Sequence, residues 1–261
     1  MSDTEVTVVM NGFKRPHTAK EQYEAYRNQS VGTPKFLFWG NYDGEAPLEQ
    51  AFDREVVENC TSAIANVNMG VWARFAFALN ATTPYVCVVD DDTIPGRRWL
   101  ENCIDTIEKL GKQAVLTPRG MKIKTNQYPR PDSYDAIGWC SANKEIEQVD
   151  FGGHGWFFHK TILKAFWLDA PDVLPLNYGE DMHLSYAAWN TAGCDTYVPP
   201  HPEDDLELWG SIKEKASEYG EDMNATSRRN DATQGMFNYF NWLLKRGYVP
   251  VIMRNNNGPK D

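Results

Sequence analysis

The chain reads Tyr85-Val86-Cys87-Val88-Val89 and continues directly into Asp90-Asp91-Asp92. The first stretch is apolar, rich in β-branched residues and almost free of alternation, which is typical of a strand buried on both faces of a parallel sheet. In such sheets, ligands bind beyond the carboxyl ends of the strands. The sequence therefore predicts that the three aspartates lie at the ligand-binding edge of an α/β domain.

The three adjacent carboxylates repel one another unless a cation lies among them, and hard divalent ions prefer carboxylate oxygens. We expect the alternate residues Asp90 and Asp92 to bind Mg²⁺ or Mn²⁺. A solvated acidic turn is the alternative, because short aspartate-rich turns are common. The helical apolar pattern that follows, from Trp99 to Leu110, completes a strand–acid–helix unit and favours the metal site.

Strand-like and helix-like segments alternate along the chain, which predicts a parallel sheet flanked by helices. The polar, irregular residues 119–148 predict a long loop or a small subdomain over the sheet. Strands are predicted at residues 6–10, 36–39, 85–89, 114–116, 196–198 and 248–253, and helices at residues 18–28, 66–80, 99–110, 160–167, 179–190 and 234–246.

The composition fits a folded globular protein of 261 residues with 42% hydrophobic residues, and we expect one domain over residues 1–202 with a C-terminal extension, residues 203–261, packed on it. The net charge of −10 excludes a general field that attracts nucleic acid. No apolar run approaches a membrane span and no leader segment is visible, so the sequence predicts a cytoplasmic protein. Five scattered cysteines predict free thiols.

A second acidic pair, Glu180-Asp181, begins a predicted helix. There the helix macrodipole stabilises negative charge and lowers a carboxyl pKa, which favours an ionised base or nucleophile. Simple helix capping by acids is the alternative. The apolar residues that follow, among them Met182 and Leu184, predict that the helix packs on the sheet and holds its acidic start beside a cleft.

Four further residues are candidate site residues, and each also has a non-functional explanation. His201, between two prolines after a strand, is a possible third metal ligand beside Asp92 or a surface histidine. Arg228 and Arg229 present planar guanidinium groups that suit phosphate oxygens, although exposed arginines are often only solvated. Gly153 either lets the backbone approach a ligand or bends a strand.

Together, these stretches resemble the GT-A glycosyltransferases, which move a sugar from a nucleoside-diphosphate donor to an acceptor hydroxyl. The pattern is most similar to the exostosin-like branch and to GT-A domains of large DNA viruses and phages. The resemblance implies a GT-A, Rossmann-like and mostly parallel central sheet with a helical C-terminal extension. It covers most of residues 6–200 and rests on residues 8–15, 68–75, 88–93, 151–158 and 179–182.

The resemblance also implies roles for individual residues. Asp92 would bind the metal, Asp90 and Asp91 would contact the ribose, base or sugar, and Asp181, beside Glu180, would face the anomeric carbon. An inverting reaction needs a base, which Asp181 could supply, whereas the exostosin-like branch retains configuration. The residues that would line the nucleotide pocket are Asn11, Arg15, Asn68 and Arg74.

The resemblance implies a sugar nucleotide, with UDP as the expected carrier, and Mn²⁺ or Mg²⁺ as the metal. The acceptor would be a hydroxyl of a glycan or of a modified DNA base, and the acidic balance disfavours DNA. A viral or phage enzyme would act in the host cytoplasm. Two alternatives stay open: a haloacid-dehalogenase-type phosphatase, which also uses a strand-end D-x-D motif, and a catalytically inactive GT-A-like binding module.

Overall fold

The computed structural model describes residues 5–42, 44, 47, 50–220 and 230–256. An eight-stranded mixed sheet lies at its centre, in the order β3-β2-β1-β4-β10-β5-β11-β8, and a three-stranded antiparallel sheet, β7-β6-β9, lies beside it. The strands are β1 Val6–Gly12, β2 Lys35–Asn41, β3 Thr61–Ala65, β4 Tyr85–Val89, β5 Val115–Leu116, β6 Arg119–Ile123, β7 Tyr134–Gly138, β8 Glu147–Val149, β9 Phe151–Gly153, β10 Gly155–His159 and β11 Thr196–Val198.

Helices cover both faces of the large sheet, and its strands β3, β2, β1 and β4 run parallel to one another. The predicted α/β class with a mostly parallel central sheet is confirmed. The helices are α1 Pro16–Arg27, α2 Arg54–Asn59, α3 Ala73–Phe77, α4 Trp99–Leu110, α5 Ile162–Leu168, α6 Glu180–Ala192, α7 Lys213–Gly220, α8 Asn230–Lys245 and α9 Val251–Asn256.

Strand β4 is central and buried on both faces. It pairs with β1 in parallel and with β10 in antiparallel orientation. Val86 and Val88 belong to the core that packs under α5, α6 and α8, whereas Cys87 and Val89 belong to the core under α1 and α4. Because both faces are apolar, the strand has no polar alternation, as its sequence predicts.

Two segments differ from the predicted secondary structure. The helix expected over residues 66–80 is confined to α3 and a 3-10 turn at Ala78–Asn80, because Gly70 has a φ of +77° and the Val71 amide donates to the Leu176 carbonyl. The strand expected over 248–253 is wrong. Pro250 starts helix α9 there, and its carbonyl accepts from the amides of Met253 and Arg254.

Residues 119–148 contain ordered strands where the sequence predicts a loop or subdomain. Strand β6 pairs with β7 on one side and with the glycine-containing β9 on the other. Strand β7 has one fully buried residue among its five, so it lacks the apolar alternation that identifies a strand in a sequence. This small sheet forms one wall of the pocket described below.

The carboxylate of Asp150 joins the C-terminal segment to the small sheet. It accepts hydrogen bonds from the amides of Ile123 at 2.6 Å and Val251 at 2.8 Å and from the Tyr248 hydroxyl at 2.8 Å. Asp150 is itself buried. The C-terminal segment therefore packs as part of the same core, in which Tyr239, Phe240, Leu243 and Tyr248 participate.

Replacing Asp150 with alanine is expected to destabilise the fold by about 2–4 kcal/mol, because three buried donors lose their acceptor. For a domain of this size, that corresponds to a melting temperature lower by roughly 5–12 °C. Thermal unfolding followed by circular dichroism measures the change. Asp132→Ala, at an exposed position, is the matched control, and equal melting of the two variants would refute the assigned role.

Across the described parts of the chain, the structure contains no helix with the length and apolar character needed to cross a membrane.

Candidate active site

A pocket of about 360 Å³ opens at the carboxyl ends of β1 and β4, between the small sheet and the start of α6. The structure thus brings together predicted residues from five separate stretches of the chain. The sequence-predicted residues that line it are Asn11, Arg15, Arg74, Asp90, Asp91, Asp92, Gly153, Glu180 and Asp181. Arg228 and Arg229 lie outside the described residues.

Helix α1 holds the backbone of the aspartate loop. It follows β1, the parallel neighbour of β4, and therefore begins at the same edge of the sheet. The Thr18 hydroxyl donates to the Asp91 carbonyl at 2.6 Å. The Gln22 amide donates to the carbonyls of Asp90 at 2.7 Å and Thr93 at 2.8 Å. Sequence reasoning missed these contacts, since no local pattern marks a helix side chain that bonds distant backbone.

Replacing Gln22 with methionine, which is similar in size but has no amide donor, is expected to loosen this loop. Mutating a residue that orients metal ligands through hydrogen bonds typically lowers metal affinity by about 10–100-fold. We expect Gln22→Met to lower Mn²⁺ affinity by an amount at the lower end of this range. Isothermal titration with Mn²⁺ measures it. Gln127→Met, at an exposed position, is the control, and equal Mn²⁺ affinity in both variants would contradict the positioning role.

The aspartate side chains have different environments. Asp91 is buried and accepts from Arg15 at 2.6 Å, and burial raises its pKa to about 7. Burial alone would also raise the pKa of Asp92, but the charge and hydrogen bond of His154, together with the charge of Arg15, lower it. Asp92 is therefore the carboxylate of this pair that is held ionised.

Asp90, Asp92 and His154 form a group that fits a divalent cation. One ligand atom from each lies within 4.8 Å of the others. The Nδ1 atom of His154 is 3.3 Å from Oδ1 of Asp92. Two carboxylates and one imidazole suit Mn²⁺, and the carboxylates also suit Mg²⁺. Metal ligation by Asp90 and Asp92 remains a prediction, to which the structure adds His154.

The backbone and a neighbouring ring fix the position of His154. Its φ is +67°, and its carbonyl accepts from the amide of Asp90 and from the hydroxyl of Thr93. The indole of Trp139 stacks on the imidazole with the ring centroids 3.6 Å apart. Sequence reasoning missed His154 although it directly follows Gly153 in the glycine-rich stretch already recognised, because no ligand spacing distinguishes it there.

The structure does not bring His201 to the aspartates. Its ring is fully buried against Trp99 and Trp209. Nδ1 lies 2.8 Å from the Pro199 carbonyl, and Nε2 accepts from the Gly210 amide at 3.2 Å. Since both nitrogens already have backbone partners and burial lowers the ring's pKa to about 4, His201 acts in this structure as a neutral core residue.

Asn68 also lies outside the pocket lining. Its side-chain oxygen accepts from the side-chain amide of Asn41 at 3.0 Å and from the Gly70 amide at 2.8 Å. These bonds hold the segment before α3 in its non-helical conformation. The structure thus gives Asn68 a supporting role rather than the expected place in the nucleotide pocket.

Arg74 joins the two acidic groups of the pocket. One guanidinium nitrogen donates to Asp90 and another to Glu180, the latter at 2.7 Å. The guanidinium also lies over the Trp156 ring, 4.9 Å from its centroid. Arg74 is buried, so its charge compensates carboxylates that water reaches poorly.

The pKa direction expected for Glu180 and Asp181 is wrong. Burial is the main cause that raises the pKa of both, and for Asp181 the charges of Glu180 and Asp90 raise it further, to about 8. The helix terminus does contribute, because the Met182 amide donates to Asp181 at 2.6 Å. Desolvation and like charge outweigh this contribution.

The wall opposite the aspartates is largely aromatic. Tyr128 and Tyr134 make an edge-to-face pair with centroids 5.3 Å apart, and the charge of Asp181 contributes to a raised pKa of Tyr128, for which burial is the main cause. Tyr178 and Met236, from the end of the α5–α6 connection and from α8, continue this wall. No sequence pattern predicts this wall, because its members come from distant segments.

Comparison with known sequence families gives a match to one part of the chain. Residues 65–167, which include the aspartate triad and His154, match the sequence model described as Glycosyl transferase family 2. The match covers less than half of the chain. The expected GT-A type of fold is shared, over about three quarters of the chain, with the solved structures described next.

Structures of S. aureus TarS share this fold. TarS 1–349 is 14% identical, with a TM-score of 0.50 over 76% of this chain and 61% of that chain. Its complex with UDP is 15% identical, with a TM-score of 0.50 over 74% of this chain and 59% of that chain. Its complex with UDP-GlcNAc is 13% identical, with a TM-score of 0.50 over 77% of this chain and 60% of that chain. The chain thus spans about three fifths of these structures. Comparison with curated protein sequences gives no match.

Proposed function

We propose that the protein is a metal-dependent glycosyltransferase that moves a sugar from a nucleoside-diphosphate donor, with UDP as the expected nucleotide, to an acceptor hydroxyl. The observation that carries this proposal is one pocket that holds both the Asp90–Asp92–His154 group and the half-buried Asp181. The family 2 match and the fold shared with a protein solved with UDP support it.

The pocket divides into two halves with different chemistry. Asn11, near the end of β1, and Phe13 and Arg15, just after it, lie with the aspartates on the side proposed for the nucleotide. A divalent ion held by Asp90, Asp92 and His154 would neutralise the charge that develops on the leaving diphosphate. Arg15 keeps Asp91 in place.

Asp181 is proposed as the general base. It is half-buried at the start of α6 and lines the same pocket as the aromatic wall. As the acceptor oxygen attacks the anomeric carbon, Asp181 would take the hydroxyl proton, which corresponds to an inverting reaction. Glu180, paired with Arg74, keeps the neighbouring charge compensated.

The acceptor is proposed to be a glycan. The aromatic faces and edges of Tyr128, Tyr134 and Tyr178 suit the apolar face of a sugar ring. The basic residues of the described lining are Lys14, Arg15, Arg74 and Arg119, and Arg15 and Arg74 pair with its carboxylates. This is a poor match for a DNA strand with its regular phosphates. A modified DNA base therefore stays the less favoured acceptor.

The alternatives receive less support. A haloacid-dehalogenase-type phosphatase would use the first aspartate of its motif as nucleophile, but Asp90 is paired with Arg74 here, and the family match points elsewhere. An inactive binding module would have no need for the full acid set. The exostosin-like branch, a viral or phage origin, the cytoplasmic location and a domain boundary at residue 202 stay predictions.

Calorimetric titration with UDP, GDP and other nucleoside diphosphates, each with Mn²⁺ and with EDTA, tests the proposal. We expect one diphosphate to bind in the micromolar range or tighter with Mn²⁺ and much more weakly with EDTA. Release of free nucleotide from the corresponding sugar nucleotide, with a glycan acceptor present, then measures turnover. Absence of binding by every diphosphate would overturn the proposal.

A further inference from the structure

Arg119, the first residue of β6, lines the pocket. It belongs to neither the predicted metal-binding group nor the predicted base. Its Nη1 atom lies 3.4 Å from Nε2 of His154. The other ring nitrogen of His154 lies 3.3 Å from Asp92. A single imidazole ring therefore separates the guanidinium from a carboxylate assigned to the metal.

The charge of Arg119 is compensated differently from that of the two other arginines in the pocket. Arg15 pairs with Asp91 and Asp92, and Arg74 pairs with Asp90 and Glu180. In the parts of the chain that the structure describes, Arg119 has no carboxylate oxygen within 4.0 Å, and its only side-chain hydrogen bond is the one with His154. A guanidinium has five N–H donors in a fixed plane, so most of them remain available to a ligand.

The opposite strand gives this side chain room to move. Arg119 pairs directly with Gly153 in the antiparallel register of β6 and β9. A Cβ atom built on Gly153 would meet no atom within 4 Å, so the space over Gly153, next to Arg119 across the strands, is open. The absence of a side chain at this position lets Arg119 turn from His154 towards a bound molecule.

We propose that Arg119 binds the β-phosphate of the nucleoside-diphosphate donor. The inference rests on the function proposed above. The β-phosphate carries the sugar and belongs near the metal group, which lies on the other side of the His154 ring. Charge-assisted bonds from a planar guanidinium to phosphate oxygens are short and directional. They strengthen as negative charge develops on the leaving diphosphate, so Arg119 would stabilise both the bound donor and the departing product.

The test compares UDP with UMP, which lacks the β-phosphate, in calorimetric titrations with saturating Mn²⁺. We expect Arg119→Gln to weaken UDP binding by roughly 10–100-fold, the range typical of a lost charge-assisted hydrogen bond, and to change UMP affinity by less than about twofold. Arg119→Lys keeps the charge without the planar fork and is expected to give intermediate UDP affinity. The matched control is Arg97→Gln, which removes the same charge at an exposed position.

The outcomes separate this inference from the proposed function. If the wild-type protein binds UDP and Arg119→Gln binds it equally well, the inference is overturned while the function stands. An equal loss for UDP and UMP also overturns it, because the contact would then not involve the β-phosphate. If the wild-type protein binds no nucleoside diphosphate, the proposed function fails first, and the role of Arg119 fails with it.

Discussion

Asp181→Asn is expected to lower the rate of sugar transfer by about 10²–10⁴-fold, the usual contribution of a general base, and to leave UDP affinity within about twofold. Asparagine keeps the size and the hydrogen bond from the Met182 amide but cannot accept the proton of the acceptor hydroxyl. Initial rates of nucleotide release, with calorimetric UDP binding beside them, measure both quantities.

The pH dependence supplies an independent readout for the same residue. Burial, followed by the charges of Glu180 and Asp90, raises the pKa of Asp181 to about 8, and a base must be ionised to act. The wild-type kcat/KM is therefore expected to rise with pH up to about 8 and to level above it, and this limb should be absent in Asp181→Asn. Asp172→Asn, at an exposed position, should behave as wild type. Normal turnover in Asp181→Asn would remove this residue from the mechanism.

Asp92→Ala is expected to abolish the Mn²⁺ dependence of UDP binding and to reduce transfer to background. Asp92 is one of three grouped ligand residues, and its pKa is held low by His154 and Arg15 against the effect of burial. It is therefore the carboxylate best prepared to meet a cation. Mn²⁺ affinity measured by electron paramagnetic resonance, together with UDP calorimetry with and without EDTA, gives the result.

The control for this variant is Asp204→Ala, which removes an exposed carboxylate. Circular dichroism shows whether Asp92→Ala remains folded, which matters because Arg15 loses one of its two carboxylate neighbours. Wild-type activity that is identical with and without a chelator would count heavily against the metal assignment. Retained Mn²⁺ affinity in a folded Asp92→Ala would place the cation elsewhere.

The features that could be predicted from the sequence are those that short stretches of the chain determine. The apolar residues of strand β4 are enough to indicate that it is buried, and Asp90, Asp91 and Asp92 follow it directly. The spatial proximity of these acids to Asp181 is not determined by any short stretch, because it depends on how β4 and α6 pack. It was accessible only through the resemblance to known proteins.

The missed features depend on contacts between segments far apart in sequence. Gln22 reaches the aspartate loop only because β1 and β4 are neighbours, and Trp139 stacks on His154 only because two loops meet. The type of His201 and its position after a strand fit a metal ligand as well as a surface histidine. Its burial between two tryptophans, which decides against that role, is visible only in the fold.

The position of Arg74 between Asp90 and Glu180 means that these two acids, 90 residues apart in sequence, share one counterion. If either acid is removed, the Arg74 guanidinium can still pair with the other carboxylate. The energetic effects of the two substitutions should therefore not be additive. Because of this non-additivity, the effect of each substitution depends on whether the other is already present. A variant that loses Asp90 alters the background in which Glu180 is tested, and mutational scans that treat the nucleotide side and the acceptor side as separate modules will misjudge both.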